Sequence, residues 1–132
     1  MTISPFDPAQ APDAQRALDR TRTHPRTRSR HMPGWMYTSP DVFQRETELI
    51  FLKDWLIVGR VEEVPEPGDY FTFDIVNEPV VVTRGKDGQL NAFSNVCRHR
   101  GAKVVEGRGT AKVFSCPYHG CTYDIGGALI QT

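Results

Sequence analysis

Two short segments of the sequence each place a cysteine close to a histidine. One residue separates Cys97 from His99 in NVCRHRG, and two residues separate Cys116 from His119 in CPYHGC. Thiolates and neutral imidazoles are side chains that bind transition metals readily. The sequence therefore predicts a metal centre assembled from two loops that lie far apart along the chain.

The distribution of these four side chains distinguishes between two kinds of metal centre. Structural zinc sites usually draw two cysteines from one short loop and two histidines from another. Here each loop offers one cysteine and one histidine, which suits a two-iron cluster with unlike ends: Cys97 and Cys116 on one iron, His99 and His119 on the other. Zinc remains the alternative, and a zinc-stabilised binding module would be colourless and lack acid-labile sulfide.

Short strands are predicted on both sides of these loops. The segments YFTFDIV, PVVVTR, LNAFSN and AKVFS have strand length and are rich in β-branched or aromatic residues. Glycine-containing turns predict one hairpin at Gly85–Gly88 and a last one about Gly126–Gly127. WLIVGR, at residues 55–60, also has the length of a short strand. The predicted fold is mainly β, with small antiparallel sheets that carry two cluster-binding hairpin loops.

One α-helix is predicted ahead of the strands. Ser39 is a good N-cap, and Pro40 suits the first helical position because its missing N–H would have no partner there. Apolar residues recur at helical spacing from Pro40 to about Asp54. Trp35 and Trp55 bracket this helix, and we expect both to be packing anchors.

The first 33 residues differ in composition from the rest. They contain six arginines, three aspartates and five prolines but few apolar residues, which predicts a disordered tail. An arginine-rich segment is also typical of a nucleic-acid arm or a transit peptide, but the three aspartates argue against a transit peptide. We expect no nucleic-acid partner. The predicted division is a tail at 1–33, a helical segment at 34–56 and a cluster-binding domain at 57–132.

Bulk properties exclude several classes of protein. The 132 residues carry a net charge of zero, and no apolar run approaches the roughly 20 residues of a membrane span. The N-terminal residues lack the layout of a secretory signal. Three cysteines cannot all pair within one chain, so metal ligation is favoured over a disulfide framework. We expect a cytoplasmic setting and no membrane association.

The segments CRHRG and CPYHG together resemble the Rieske 2Fe-2S domain of bacterial ring-hydroxylating oxygenases, in the N-terminal part of the large (alpha) subunit. The resemblance extends from about Met32 to the last residue, and it includes all four ligands, both spacings and both following glycines. It implies a Rieske-type 2Fe-2S cluster held by Cys97, His99, Cys116 and His119. It also implies that the outer nitrogens of the two imidazoles face solvent or a partner subunit.

Two branches of this family differ in their additional cysteines. Rieske proteins of respiratory chains have further cysteines that form a disulfide between the loops, at positions where this chain has Ala102 and Tyr118. The resemblance is therefore to the oxygenase or ferredoxin branch.

The resemblance implies an electron-transfer role within an oxidoreductase that depends on O2 and NAD(P)H. A reductase or ferredoxin would supply electrons, and a mononuclear Fe(II) in a catalytic domain absent from this chain would receive them. The full-length form would be a homo-trimer or an alpha/beta hetero-oligomer. Apart from the cluster ligands only His24 and His31 remain, both in the tail, so we expect no catalytic residues in this chain. The sequence also ends where the family continues, so we expect a fragment or a truncated product.

The identity of the whole protein stays open between three possibilities. The substrate of an oxygenase would be an aromatic ring or, alternatively, a quaternary ammonium compound. A free-standing Rieske-type ferredoxin is the third possibility. The helical segment ahead of the loops favours an oxygenase, because a small carrier is expected to begin near its first strand.

Three features beside the loops have two interpretations each. Arg98, Arg100 and Lys103 could steer an acidic partner or be ordinary solvated charges. Tyr118 and Tyr123 could hydrogen-bond a cluster sulfur or simply pack. Cys121 stands where the family most often has tryptophan, and it is either a neutral substitution in the loop wall or a thiol open to oxidation.

Overall fold

The structure of this protein is a computed structural model that describes residues 31–132. The prediction of a tail at 1–33 falls almost entirely outside these residues. The described chain divides at Asp54 into two compact units, and each is treated by itself. No helix among residues 31–132 is long and apolar enough to cross a membrane.

The first unit contains the predicted helix, α1, at Pro40–Glu46. A 3-10 turn at Gly34–Tyr37 precedes it. Ser39 caps the helix, because its side chain accepts a hydrogen bond from the backbone N–H of Val42 at 3.4 Å. The predicted start and cap are therefore confirmed.

The end of the helix differs from the prediction, which continued it to about Asp54. After Glu46 the backbone widens into a π-helical turn at Thr47–Phe51, where the Leu52 N–H donates to the Thr47 carbonyl. The Thr47 hydroxyl donates to the Phe43 carbonyl at 2.8 Å. A side chain that bonds the carbonyl four residues back competes with the backbone ladder and distorts a helix at this point.

The second unit consists of two antiparallel sheets. Their seven strands are β1 Asp69–Ile75, β2 Glu78–Arg84, β3 Leu90–Ser94, β4 Arg108–Thr110, β5 Val113–Ser115, β6 Thr122–Asp124 and β7 Leu129–Gln131. The first sheet has the order β3-β2-β1-β4 and the second has the order β5-β6-β7. The predicted mainly β fold with one helix is confirmed, and so are the hairpins β2–β3 and β6–β7.

Two local predictions about strands were wrong or incomplete. The apolar run at 55–60 forms no strand, and Trp55 and Ile57 are fully exposed. A strand needs a hydrogen-bonded neighbour, and no strand of either sheet pairs with this run. Trp55 is therefore not a packing anchor here. Conversely, β4 was missed, because Arg-Gly-Thr carries no apolar signal and forms a strand only through its pairing with β1.

The apolar core lies on both faces of the first sheet. Successive side chains of a strand point to opposite faces. Val82 therefore packs with Val64 and Phe71 on one face, while its neighbour Val81 faces a second cluster. That second cluster contains Phe114, Tyr123, Ile125 and all three cysteines. The thiols are thus buried beside the core that the two sheets share.

Buried Thr83 joins the two sheets directly. Its side chain is fully buried, and its hydroxyl donates to the Ile125 carbonyl at 2.7 Å. Because Ile125 lies in the turn between β6 and β7, this hydrogen bond links β2 of the first sheet to the second sheet.

Candidate metal centre

The two cysteine–histidine loops have the same backbone hydrogen bonds. The N–H of Cys97 donates to the Ala102 carbonyl, and the N–H of Cys116 donates to the Cys121 carbonyl, both at 2.8 Å. Inside each loop a glycine N–H bonds back to the cysteine carbonyl, from Gly101 at 2.9 Å and from Gly120 at 3.0 Å. The chain therefore presents two loops of equal size built on one plan.

The two glycines are required by backbone conformation. Their φ angles are +74° at Gly101 and +80° at Gly120, in the left-handed region that L-residues with a side chain rarely adopt. No atom lies within 4 Å of a Cβ built at either position, so space is not the constraint. Glycine lets each loop turn back within two residues of its histidine.

The four predicted ligands are divided between an inner and an outer layer. Cys97 and Cys116 are buried, at 2% and 3% exposure, in the core beside the sheets. His99 and His119 are exposed at the loop tips. The structure therefore places one cysteine from each loop in the inner layer and one histidine from each loop in the outer layer.

The two imidazoles are direct neighbours although they come from different loops. The ring centroids of His99 and His119 are 4.7 Å apart, and the planes meet at 65°. Tyr118 packs against His119 with a centroid distance of 3.9 Å and an angle of 38° between the ring planes. Of the two interpretations of Tyr118, the structure supports packing, against an imidazole.

Tyr123 interacts with the thiol layer. Its hydroxyl donates to the Cys97 sulfur at 3.3 Å and accepts the Arg98 N–H at 3.1 Å. Together with the N–H of His99, this donor lowers the pKa of the Cys97 thiol to about 7, because both stabilise the thiolate. The same hydrogen bond to Cys97 raises the pKa of Tyr123. A thiolate is the form of cysteine that binds metal.

Cys121 belongs to the same buried cluster, at 7% exposure. Burial, followed by the neighbouring Cys97 thiol, raises the pKa of the Cys121 thiol above its ordinary value. Cys121 therefore stays protonated to a higher pH than Cys97.

Asn95 is a positioning residue that the sequence analysis missed. It is 1% exposed, and its side-chain oxygen accepts the N–H groups of Val104 and Val105 at 3.2 and 3.0 Å. Its amide nitrogen donates to the Val105 carbonyl. These bonds, with the bridge between Val96 and Lys103, fasten both ends of the first loop. An asparagine two residues before a ligand in NVCRHRG was the only signal in the sequence.

The basic residues beside the first loop are not equivalent. Lys103 pairs with Asp74 at 3.3 Å on the sheet surface. Arg98 and Arg100 are exposed next to the imidazoles. The positive charge near the exposed edge of the site therefore comes from the two arginines.

The donor set fits a group with two chemically different ends. Residues 31–132 contain no cluster of three or more cysteine, histidine or acidic side chains arranged to hold one metal ion. A structural zinc ion takes four ligands around one centre. Two buried thiols and two exposed imidazoles, each a pair, suit instead a cluster in which each iron takes two protein ligands. His31 lies in the first unit, and His24 lies outside the described residues.

Comparison with known protein families assigns the second unit. A family model described as the Rieske [2Fe-2S] domain matches residues 54–132. The match includes both loops and all seven strands.

Individual relatives agree with this match. The chain is 46% identical over 98 residues to the carnitine monooxygenase oxygenase subunit of Acinetobacter baumannii, covering 74% of this chain and 26% of that protein. It is 45% identical over 97 residues to the benzene 1,2-dioxygenase alpha subunit of Pseudomonas putida, covering 73% and 22%. This chain thus spans about a quarter of the length of these curated relatives.

A solved structure gives the same result in three dimensions. It is the structure of a quaternary ammonium Rieske monooxygenase, which gives insights into carnitine oxidation by gut microbiota and into inter-subunit electron transfer. The TM-score is 0.70 at 44% identity, over 74% of this chain and 27% of that one.

Proposed function

Because the chain belongs to the Rieske [2Fe-2S] domain family, we propose that it is the electron-accepting domain of an oxygenase alpha subunit. Its ligands in this proposal are Cys97, His99, Cys116 and His119. A bound cluster of this type supplies one-electron transfer. The observation that carries the residue assignment is the pairing of two buried thiols with two exposed, adjacent imidazoles.

The chain's own residues have distinct tasks in this arrangement. Cys97 and Cys116 bind as thiolates inside the core, where the Tyr123 hydroxyl helps to stabilise the charge at Cys97. His99 and His119 each bind through one ring nitrogen, so the second nitrogen can donate a hydrogen bond outward. Neutral imidazoles add less negative charge than thiolates, which raises the reduction potential. Because His99 and His119 are exposed, a bound cluster would exchange electrons with its partners at the histidine edge.

Ligand substitutions test this assignment. Cys116→Ser and His119→Ala should each abolish the absorption and EPR signals of a Rieske cluster in protein reconstituted with iron and sulfide. Cys121→Ser and His31→Ala are matched controls, because each removes the same functional group at a position outside the proposed ligand set. Retention of the signals in either ligand variant would refute the assignment.

The whole-protein activity has two candidates. The similarity to a benzene dioxygenase alpha subunit supports hydroxylation of an aromatic ring. The similarity to a carnitine monooxygenase subunit supports oxidation of a quaternary ammonium compound instead. Both relatives are oxygenase subunits, which favours an oxygenase over a free-standing ferredoxin.

The sequence that follows the Thr132 codon separates these possibilities. An oxygenase requires a mononuclear iron site of two histidines and one carboxylate, which we expect to be encoded there. A stop codon with no such set would contradict an oxygenase role for this product. Oxygen uptake by the complete protein with benzene or carnitine then distinguishes the two substrate classes.

The electron donor in this proposal is a reductase or ferredoxin with an acidic surface. Arg98 and Arg100 are exposed beside the imidazoles and would attract such a partner. Reversing both charges should slow reduction of the cluster at low ionic strength, and high salt should reduce the difference. A rate equal to that of the wild-type chain at low salt would exclude this surface.

Three further assignments are part of the proposal. The domain division at 34–56 and 57–132, assembly as a trimer or an alpha/beta oligomer, and a cytoplasmic setting all remain predictions. The description of inter-subunit electron transfer in a similar monooxygenase supports the oligomer. Sedimentation of the complete protein tests it.

A further inference from the structure

A buried hydroxyl group joins the two sheets of the second unit. Thr83 of β2 is fully buried and donates to the Ile125 carbonyl at 2.7 Å. Within residues 31–132, no other hydrogen bond joins a strand residue of the first sheet to residues 113–131. Apolar contacts also join the sheets, as where Tyr70 meets Phe114 edge-on at 5.2 Å, but these are not directional. The hydroxyl therefore fixes where one sheet lies against the other at this point.

The donor side of this hydrogen bond is held firmly. β2 lies between β1 and β3, and the backbone of Thr83 is paired with Tyr70 on one side and Asn91 on the other. The chain leaves β3 at Ser94 and reaches Cys97 three residues later. Thr83 and the first loop therefore belong to the same sheet.

The acceptor side belongs to the segment that carries Tyr123. Ile125 follows Tyr123 by two residues, just after the end of β6. The Tyr123 hydroxyl donates to the Cys97 sulfur at 3.3 Å and accepts the Arg98 N–H at 3.1 Å. Both contacts reach from the second sheet to the first loop. Because hydrogen bonds weaken steeply when their geometry is distorted, they depend on where β6 lies relative to the first sheet.

We propose that Thr83 is a positioning residue for the proposed cluster site. Its hydrogen bond to Ile125 holds β6 at the depth where the Tyr123 hydroxyl meets the Cys97 sulfur. Within residues 31–132, the Thr83 side chain has no hydrogen bond to a proposed ligand, so it acts only through Tyr123.

The redox consequence rests on the proposed function. Hydrogen bonds to the sulfurs of an iron–sulfur cluster help to set its reduction potential. A donor stabilises the more negatively charged, reduced cluster and so raises the potential. Loss of the Thr83 hydroxyl should therefore lower the potential, because the Tyr123 hydroxyl moves away from Cys97.

Hydrogen exchange in the metal-free chain tests the positioning without a cluster. The Arg98 N–H is the reporter, because its acceptor is the Tyr123 hydroxyl. Thr83→Val keeps the shape of the side chain and removes the hydroxyl, so the Arg98 N–H should exchange faster, whereas Thr83→Ser should keep the wild-type rate. The Gly101 N–H, bonded to the Cys97 carbonyl, should keep its rate in both variants. Unchanged exchange at Arg98 in Thr83→Val would overturn the proposal.

The reduction potential of the reconstituted chain measures the consequence. Thr83→Val should shift it to more negative values, in the same direction as Tyr123→Phe. In a chain that already carries Tyr123→Phe, Thr83→Val should add no further shift, because the hydroxyl that it positions is gone. A full additional shift in the double variant would show a general structural effect and contradict the proposal.

Thr72→Val is the matched control for the potential. It removes a hydroxyl that donates to the Gly107 carbonyl at 3.2 Å and bonds no residue of the second sheet. Its potential should equal that of the wild-type chain. A shift as large as that of Thr83→Val would refute a specific role for Thr83.

Two further outcomes are decided by the same measurements. If Thr83→Val does not fold, Thr83→Ser decides, because it retains the hydroxyl and loses only a methyl group. Fast exchange at Arg98 in that variant would assign the effect to packing and overturn the proposal. If the wild-type chain takes up no cluster, the proposed function fails, and exchange at Arg98 still decides the positioning.

Discussion

The phenolic hydroxyl of Tyr123 donates a hydrogen bond to the sulfur of Cys97 at 3.3 Å and accepts the N–H of Arg98 at 3.1 Å. These contacts join β6, which follows the second loop, to the first loop. A single side chain thus sets both the position of one proposed ligand and its readiness to ionise.

Replacing Tyr123 with phenylalanine should raise the pKa of Cys97. The wild-type value is about 7, and loss of the donor moves it toward the ordinary thiol value of about 8.5. The fraction of thiolate at neutral pH therefore falls. The pH dependence of iodoacetamide labelling of Cys97 in the metal-free chain, read on tryptic peptide 87–98, measures this change. Tyr118→Phe is the matched control, because it removes a hydroxyl that is not bonded to Cys97; an unchanged midpoint in Tyr123→Phe would contradict the mechanism.

Tyr118 should hold the ring of His119 in place by stacking. The centroid distance of 3.9 Å puts the His119 protons in the ring-current field of the phenol. Tyr118→Ala should change the chemical shifts of the His119 imidazole protons and let the ring adopt a wider range of orientations. Tyr118→Phe should leave these chemical shifts close to those of the wild-type chain. Proton NMR of the metal-free chain measures both. Identical spectra for the alanine and phenylalanine variants would show that the stacking does not persist in solution.

Asn95→Ala should destabilise the second unit strongly. It leaves the half-buried N–H and carbonyl groups of Val105 without their side-chain partners, while the Val104 N–H keeps only the backbone carbonyl of residue 95. We expect the free energy of unfolding to fall by roughly 2–4 kcal/mol, from the cost of unpaired buried groups. Urea unfolding measures this value. Asn77→Ala, the same deletion at an exposed turn, should change it by less than about 0.5 kcal/mol, and equal effects would refute the role of Asn95.

Asp69 should make the second unit sensitive to acid. The Thr110 hydroxyl, followed by the Glu66 N–H, lowers the pKa of Asp69. A carboxyl whose pKa is lower in the folded state stabilises the fold fully above its unfolded pKa of about 3.9, and that contribution is lost as the pH falls through the folded pKa. Unfolding measured below about pH 4 should therefore depend on pH less steeply in Asp69→Asn than in the wild-type chain.

A second variant tests the source of this effect. Thr110→Val removes the donor and retains the carboxylate, so it should flatten the acid dependence in the same direction. If Thr110→Val follows the wild-type curve, the hydrogen bond is not the cause.

The sequence alone was sufficient to identify the family and the candidate ligands. Metal chemistry accepts few side-chain types, and Cys97-x-His99 with Cys116-x-x-His119 places those types at short, readable spacings. The hairpins about Gly88 and Gly127 were also predictable, because a turn with positive φ depends on the residues within it. The assignment of the four ligands itself stays a prediction until the substitutions are made.

Only the tertiary structure decided the interactions between distant segments. Tyr123 and Tyr118 looked equivalent in the sequence, yet the first bonds a sulfur 26 residues away and the second stacks on its neighbour. WLIVGR looked like a strand, but no described strand pairs with it, whereas the unpromising Arg108–Thr110 pairs with β1. Cys121 joins the ligand cysteines of both loops in one buried cluster only because the fold brings the two loops together. Local chemistry is carried by adjacent residues, but hydrogen bonding and burial depend on which remote segment the fold supplies.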